Sequence, residues 1–267
     1  MKKIILITGA SSGLGQAIAD RLVTRGHRVY GTTRQTGRSG ADINWLEMDV
    51  TRTPSVDGAV NELIRCEGRI DVLVNNAGMG IGGAAEDFSD EETARQMETN
   101  FTGMTRVCRA VLPYMRSNES GLIINIGSVG GLIGLPYQSF YSASKFAMEG
   151  FSEALAMEVR PWRIRVVIIN PGDFRTKFTA NRTLVRRAGS GSAYHRSFQA
   201  ALQVISHDEE HGCNPSVIAR TVDRIIATRH PRYRYIVARF DQKLAVFLRP
   251  VLPPAWFRRI IGSHYGV

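Results

Sequence analysis

Short apolar runs alternate with stretches of helical hydrophobic spacing along most of the chain. A strand that is buried on both faces of a parallel sheet is continuously apolar, whereas a surface helix repeats apolar residues every three or four positions. The alternation predicts an α/β fold with a doubly wound parallel sheet in a three-layer α/β/α arrangement. The predicted strands are residues 3–8, 28–31, 43–48, 70–75, 121–127, 164–169 and 234–238.

The first predicted strand runs into a glycine-rich turn that precedes a helical pattern. Such a turn brings backbone N–H groups and the positive end of a helix dipole close to a pyrophosphate, and glycine is needed where a side chain would block this approach. A simple strand-to-helix turn is the alternative interpretation of this pattern alone. The predicted phosphate-binding residues are Gly9, Ser11, Ser12, Gly13, Leu14 and Gly15.

A second group of residues has the chemistry of a proton relay. Tyr141 and Lys145 are four residues apart, so on a helix they would point into the same cleft. A nearby ammonium favours the phenolate, which predicts a Tyr141 pKa below the ordinary value of about 10. Ser128, after the apolar run 121–127, would donate a hydrogen bond to a substrate oxygen that gains negative charge. A chance pair on an exposed helix is the alternative for Tyr141 and Lys145.

Taken together, these motifs resemble the short-chain dehydrogenase/reductase family over residues 3 to about 176. The resemblance implies a Rossmann-type fold and the interconversion of an alcohol and its carbonyl by hydride transfer. It implies that Tyr141 exchanges the proton, that Ser128 polarises the substrate oxygen, and that Lys145 also binds the nicotinamide ribose. Asn100 would hold a water that links Lys145 to solvent. Further cofactor contacts are implied for Asp49, Val50, Asn76, Ala77, Gly78, Pro171, Gly172 and Thr176.

The residues that follow the second predicted strand bear on the choice of cofactor. An NAD-dependent protein usually has an acidic residue there to hold the ribose hydroxyls, but none lies between Asp20 and Asp42. Arg34, helped by Arg38 or Ser12, could instead bind an adenosine 2′-phosphate. The sequence therefore predicts NADP(H), with NAD(H) as the alternative and a solvated arginine as the alternative for Arg34.

Two segments outside the motifs point to the substrate. Residues 177–212 correspond to the mobile substrate lid of the family, and residues 240–267 form a C-terminal extension similar to that of the hydroxysteroid and retinol dehydrogenase branch. Their apolar residues predict a lipophilic substrate such as a hydroxysteroid or a retinoid. A 3-oxoacyl thioester reductase and a nonenzymatic nucleotide-sensing module are the alternative functions. Residues 1–267 are predicted to form one domain, because no linker or repeat interrupts them.

The positive charge is concentrated in the C-terminal third. Lys plus Arg and Asp plus Glu both number 18 through Gly172, but 16 and 6 from Asp173 onward, which accounts for the whole net charge of +10. A basic surface attracts nucleic acid, an anionic membrane or an acidic ligand. Nucleic acid is not expected, because no binding module accompanies the charge. Peripheral membrane contact and an ordinary basic surface both stay open.

The remaining chemistry of the sequence is sparse. The three cysteines, Cys66, Cys108 and Cys213, lack metal-ligand spacing and the six histidines form no HExxH motif, so no metal is expected. Few cysteines and no signal-peptide pattern predict a cytoplasmic protein. Family members commonly dimerise through the helices that carry Asn100 and Tyr141, so a homodimer is expected.

Overall fold

The computed structural model describes residues 2–35, 37, 42–176, 178 and 181–267. Arg38, named above as a helper of Arg34, lies outside the described residues, as do positions 177, 179 and 180 of the predicted lid.

The strands agree with the apolar runs of the sequence. In chain order they are β1 (Ile4–Ile7), β2 (Arg28–Thr33), β3 (Asn44–Glu47), β4 (Val72–Asn75), β5 (Ile81–Gly82), β6 (Gly121–Ile126), β7 (Ile164–Pro171), β8 (Thr183–Leu184) and β9 (Arg234–Val237). All except β5 and β8 form one parallel sheet in the order β3-β2-β1-β4-β6-β7-β9, which confirms the predicted doubly wound sheet. The chain reverses its direction of travel across the sheet between β1 and β4, the position at which open α/β sheets bind ligands.

Helices cover both faces of this sheet. They are α1 (Gly13–Thr24), α2 (Thr53–Glu67), α3 (Asp90–Met97), α4 (Gly103–Ser117), α5 (Ser139–Glu158), α6 (His195–Glu210), α7 (Ser216–Ala227), α8 (Phe240–Leu248) and α9 (Pro254–His264). No helix among the described residues is long and apolar enough to cross a membrane.

The core consists of two apolar clusters, one on each face of the sheet. Successive residues of a strand point to opposite faces, so Ile4 and Leu6 of β1 belong to one cluster and Ile5 and Ile7 to the other. Because helices cover both faces, β1 needs apolar residues at every position rather than at every second one.

The local sequence signals predicted for the ends of α3 and α5 act as expected. Ser89 and Glu92 form a capping box, in which each side chain bonds to the backbone N–H of the other residue, and α3 begins at the next residue after Ser89. The helix α3 continues through a π-helical turn, Glu98–Thr102, into α4. The predicted helix from about residue 140 is α5, which ends three residues before Pro161.

The predicted lid is partly helical. Its described residues include α6 and the short strand β8, which pairs in parallel with β5. The C-terminal extension forms α8 and α9, and neither helix contains a fully buried residue.

Candidate active site

The turn between β1 and α1 depends on close backbone contacts. Gly9 has a φ of +64°, and a Cβ there would lie 2.9 Å from the Cα of Ala77. A Cβ on Gly15 would lie only 2.3 Å from the carbonyl oxygen of Gly9. Any side chain at either position would push the turn away from its neighbours, so the backbone can approach a pyrophosphate only if both residues are glycine.

Hydrogen bonds of Thr8 and Asn76 connect this turn to the loop after β4. The hydroxyl of Thr8 accepts hydrogen bonds from the N–H groups of Asn76 and Ala77, at 2.9 and 3.0 Å. The side-chain amide of Asn76 donates to the carbonyls of Thr8 and Gly9, both at 3.0 Å. Asn76 therefore supports the glycine turn with its side chain, a role that the sequence motif did not reveal.

The start of α1 is open to an anion. Ser12 is the N-cap residue and is exposed, but its hydroxyl does not cap the helix, and the first turn contains no acidic residue. Ser11 and Gly13 are partly exposed beside it, whereas Leu14 packs against the core. The arrangement fits a phosphate group, because the first N–H groups of a helix need acceptors and the helix dipole favours negative charge.

The other end of the predicted cofactor cleft is formed by the residues after β2 and β3. Arg34 is exposed immediately after β2 and lies close enough to Asp49 to influence it. Although burial acts in the opposite direction, hydrogen bonds from Thr51 and the nearby Arg34 and Arg52 hold the pKa of Asp49 below its ordinary value. Val50 is buried against Gly103, where a Cβ would lie 2.8 Å from its Cγ2.

The end of β7 closes the same edge of the sheet. Pro171 is its last residue, and the N–H of Gly172 donates to the carbonyl of Val237 at 3.0 Å. The side chain of Thr176 lies 3.5 Å from the position of a Cβ on Gly13. The structure thus brings the predicted residues from β1, β4 and β7 to one carboxyl-end edge of the sheet.

Ser128 and Tyr141 meet at this edge. Ser128 follows β6, and its hydroxyl accepts a hydrogen bond of 3.0 Å from the N–H of Gly130 and is also bonded to the Tyr141 hydroxyl. Burial raises the pKa of Tyr141 to about 12, and the hydrogen bond with Ser128 opposes this rise. At neutral pH the phenol is therefore protonated.

The ammonium group of Lys145 lies on the same face of α5 as Tyr141 and bonds to the backbone at the end of β6. Its Nζ donates a hydrogen bond of 2.9 Å to the carbonyl of Ile126 and lies 5.8 Å from the centre of the Tyr141 ring. Burial lowers the pKa of Lys145 to about 8, and Glu149 opposes the decrease. Enclosure by protein disfavours the phenolate more than Ser128 and Arg182 favour it, so the Tyr141 pKa is raised in this arrangement, and the role of Lys145 in lowering it stays a prediction.

Asn100 lies in the π-helical turn between α3 and α4 and is buried. Its Oδ1 accepts from the N–H of Met79 at 2.8 Å, and its Nδ2 donates to the carbonyl of Met79 at 3.0 Å and to the hydroxyl of Ser144 at 3.1 Å. Asn100 thus joins the loop after β4 to α5, and its role in holding a water stays a prediction.

Sequence reasoning missed a buried carboxylate one helical turn beyond Lys145. Glu149 accepts a hydrogen bond of 2.5 Å from the Nδ2 of Asn170 and one of 2.6 Å from the guanidinium of Arg234. The same Nδ2 of Asn170 donates to the carbonyl of Ser128 at 3.0 Å. The signal was the four-residue spacing from Tyr141 to Lys145 to Glu149, which places all three on one face of α5.

Charged side chains from the lid and from the loop after β7 lie near Tyr141. Glu209 of α6 and Asp173 raise its pKa further, whereas Arg182, ion-paired with Glu209, lowers it. Burial and the neighbouring Glu209 and Asp208 raise the pKa of Asp173 to about 6.

The apolar residues near the site divide into core and surface. Ile81, Ile133, Phe174, Phe198 and Ile205 are buried and belong to the protein interior. Leu184 and Tyr194 of the lid are exposed. Phe178 packs 6.1 Å from the Tyr141 ring, measured between ring centres, and so covers one side of the candidate site.

No group of three or more His, Cys, Asp or Glu side chains is arranged to hold a metal ion in the part of the chain that the structure describes.

The fold and the site define an oxidoreductase that binds a nicotinamide cofactor and acts on CH–OH groups. Residues 3–186 match the family model described as short chain dehydrogenase, and the chain belongs to that family.

Three known proteins illustrate the relationship. The chain is 46% identical over 265 residues to the 3-ketodihydrosphingosine reductase of Bacteroides thetaiotaomicron, with 99% of this chain and 98% of the relative covered. It is 32% identical to human 17-beta-hydroxysteroid dehydrogenase type 1, with 88% of this chain and 77% of the relative covered. A crystal structure of 3-ketoacyl-(acyl-carrier-protein) reductase from Brucella melitensis complexed with NADH is 26% identical, with a TM-score of 0.73, and covers 88% of this chain and 96% of its own.

The carboxylate of Glu149 is expected to help keep Lys145 protonated. Glu149→Gln retains an oxygen that can accept from Asn170 but removes the charge, so the Lys145 pKa should decrease by about one unit. The alkaline limb of the pH profile of kcat/KM should then shift to lower pH by a similar amount. Glu153→Gln, an exposed change on the same helix, is the matched control. An unshifted profile in Glu149→Gln, or an equal shift in the control, would contradict this role.

Proposed function

We propose that the protein is an NADP(H)-dependent reductase of long-chain 2-amino-3-ketones, with 3-ketodihydrosphingosine as the candidate substrate. The observation that carries this proposal is the 46% identity to a 3-ketodihydrosphingosine reductase, which extends over 99% of this chain and includes the lid and the C-terminal extension. The substrate is lipophilic, as the sequence predicts, but differs from a steroid in having an amine beside the carbonyl.

The site supports reduction in the following way. A bound nicotinamide cofactor supplies the hydride for the ketone carbon. Tyr141 donates its proton to the ketone oxygen, which its raised pKa allows because the phenol is protonated at neutral pH. Ser128 donates a hydrogen bond to the same oxygen as negative charge develops. Lys145 would bind the ribose hydroxyls of the cofactor, and Asn100 fixes the loop at Met79.

The charges around Tyr141 support an amine-bearing substrate. Asp173 and Glu209 act on Tyr141 as negative charges, but Glu209 is ion-paired with Arg182, which leaves Asp173 as the carboxylate without a cationic partner in this group. A carboxylate that acts electrostatically on Tyr141 favours a ketone that carries an ammonium on the carbon beside the carbonyl. A neutral steroid ketone gains nothing from these carboxylates.

Tyr141→Phe should lower kcat by at least about a hundredfold, because the proton donor is removed while the ring is retained. Binding of NADPH, followed by the change in its fluorescence, should stay within about twofold of the wild type. Tyr114→Phe is the control, since it removes a hydroxyl that bonds to Asn61 on the outer side of α4. Near-normal turnover in Tyr141→Phe would refute the assigned role.

The substrate class is tested with purified protein and a panel of carbonyl compounds, and the reaction is followed by NADPH absorbance. We expect 3-ketodihydrosphingosine, presented in detergent, to be reduced with a kcat/KM at least about tenfold above those of a 17-ketosteroid, a retinal and a 3-oxoacyl thioester. A preference for the steroid would favour the function of the human relative. Reduction of none of the four, with NADPH binding intact, would favour the nonenzymatic nucleotide-sensing module.

The preference for NADP(H) is tested at Arg34. Arg34→Ala should lower kcat/KM for NADPH by at least about tenfold, because a charge-assisted contact to the 2′-phosphate is lost, and should change that for NADH by less than about twofold. Arg52→Ala is the matched control, because Arg52 is also exposed and also acts on Asp49 but does not follow β2. Wild-type protein that uses NADH as efficiently as NADPH would overturn the assignment.

A homodimer through the helices that carry Asn100 and Tyr141 completes the proposal. Exposed Met157 near the end of α5 and Trp162 just after it supply apolar surface there.

A further inference from the structure

Exposed apolar side chains are concentrated in the C-terminal extension, residues 240–267. Of the eleven large hydrophobic residues that are exposed in the described part of the chain, seven lie in this segment, which is about a tenth of the sequence. They are Phe240, Leu244, Phe247, Val251, Trp256, Ile260 and Val267. Such a concentration on one element marks an interaction surface rather than the scattered exposure found on most proteins.

The apolar residues of α8 face away from the protein. Phe240, Leu244 and Phe247 recur at helical spacing and are 81%, 41% and 68% exposed. In a helix that packs on a globular core, a stripe with this spacing faces inward. On α9, Trp256 and Ile260 are 68% and 54% exposed and are also one turn apart.

Cations accompany these apolar residues. Lys243, Arg258 and Arg259 are exposed on the same two helices, and Asp241 is the only acidic residue in positions 240–267. A surface helix with Trp and Phe beside Lys and Arg is typical of segments that lie in the interface of an anionic bilayer. A partner protein that binds this surface would need a patch that is both apolar and acidic. An anionic bilayer combines apolar chains and negative head groups over its whole surface.

The extension is fixed to the substrate edge of the protein. The Nε2 of Gln242 donates to Asp173 at 2.5 Å, and the guanidinium of Arg249 lies 4.9 Å from the ring centre of Phe146 and donates to the carbonyl of Leu132. At its far end, Val267 lines a cavity of about 310 Å³ together with Leu135 and Tyr137. The exposed stripe therefore lies beside the loops that follow β6 and β7, where Ser128 is located.

We propose that α8 and α9 form a membrane-docking surface that binds anionic phospholipid bilayers peripherally and holds the substrate cleft beside them. The docking surface goes beyond the proposed reaction and does not depend on it. If the substrate is a long-chain amino ketone, docking also explains how an insoluble molecule reaches Tyr141.

The test is co-sedimentation of the full chain with vesicles. We expect binding to vesicles of phosphatidylcholine containing phosphatidylglycerol, weaker binding to phosphatidylcholine alone, and release at high salt. The double variant Phe247→Ser with Trp256→Ser should bind at least about tenfold more weakly to both vesicles. The triple variant Lys243→Gln, Arg258→Gln and Arg259→Gln should lose the preference for phosphatidylglycerol.

Leu184→Ser with Tyr194→Ser is the matched control, because it removes exposed apolar residues outside the extension and should leave vesicle binding unchanged. Thermal unfolding and NADPH binding confirm that each variant is folded. Wild-type protein that stays in the supernatant with anionic vesicles at low salt, or double and triple variants that bind like the wild type, would overturn the proposal. A third result would also overturn the proposal: the wild type does not bind vesicles, and light scattering shows that Phe247→Ser with Trp256→Ser dissociates an oligomer. The surface would then join copies of the chain.

Vesicle binding and turnover are separate readouts. Vesicle binding without reduction of 3-ketodihydrosphingosine would support the docking surface and remove the proposed substrate. Reduction of 3-ketodihydrosphingosine in detergent without vesicle binding would support the proposed substrate and remove the docking surface.

Discussion

The active site depends on how one helix is held against the sheet by polar contacts. Lys145, Glu149 and Ser152 lie on one face of α5 and are buried, and each bonds to the end of β6 or β7: to the carbonyl of Ile126, to Asn170 and to Asn125. Leaving a buried polar group unpaired costs about 1–3 kcal/mol, so α5 can dock in only the one register that pairs all three. That register also fixes where Tyr141, one turn earlier, meets Ser128.

Much of this arrangement could be predicted because it follows from local pattern. The run from Ile4 to Ile7 could be predicted as a doubly buried strand because it is continuously apolar, and the structure confirms that its residues pack into the cores on both faces of the sheet. The spacing of Tyr141 and Lys145 could be interpreted because α-helical geometry fixes which residues share a face. The carboxyl ends of parallel strands lie at one edge of the sheet. Gly9, Ser128 and Pro171 could therefore be predicted to lie at the same edge without knowledge of side-chain contacts.

The chemistry at the site could not be predicted in the same way, because it is set by distances across the fold. Whether the Lys145 ammonium acts on Tyr141 depends on the competing carbonyl of Ile126, and whether Tyr141 titrates low or high depends on how fully protein atoms enclose it. Asn76 belongs to a recognisable motif, yet its amide turns toward Thr8 and Gly9 rather than the cleft. Sequence spacing specifies neighbours along a helix but not the partner a side chain selects from another element.

The distribution of charge connects the two proposals. The exposed face of the extension carries Lys243, Arg258 and Arg259, while the residues between the extension and Tyr141 include the carboxylates of Asp173 and Glu209. An amphiphile with an ammonium head and a long apolar tail would leave an anionic bilayer for a site that offers the carboxylate of Asp173, so its head group exchanges one negative neighbour for another. Its tail can stay against the apolar stripe of α8 during this exchange, which limits the apolar surface exposed to water. A basic docking face and a carboxylate beside the candidate site are therefore compatible features in a protein that takes a cationic lipid from an anionic bilayer.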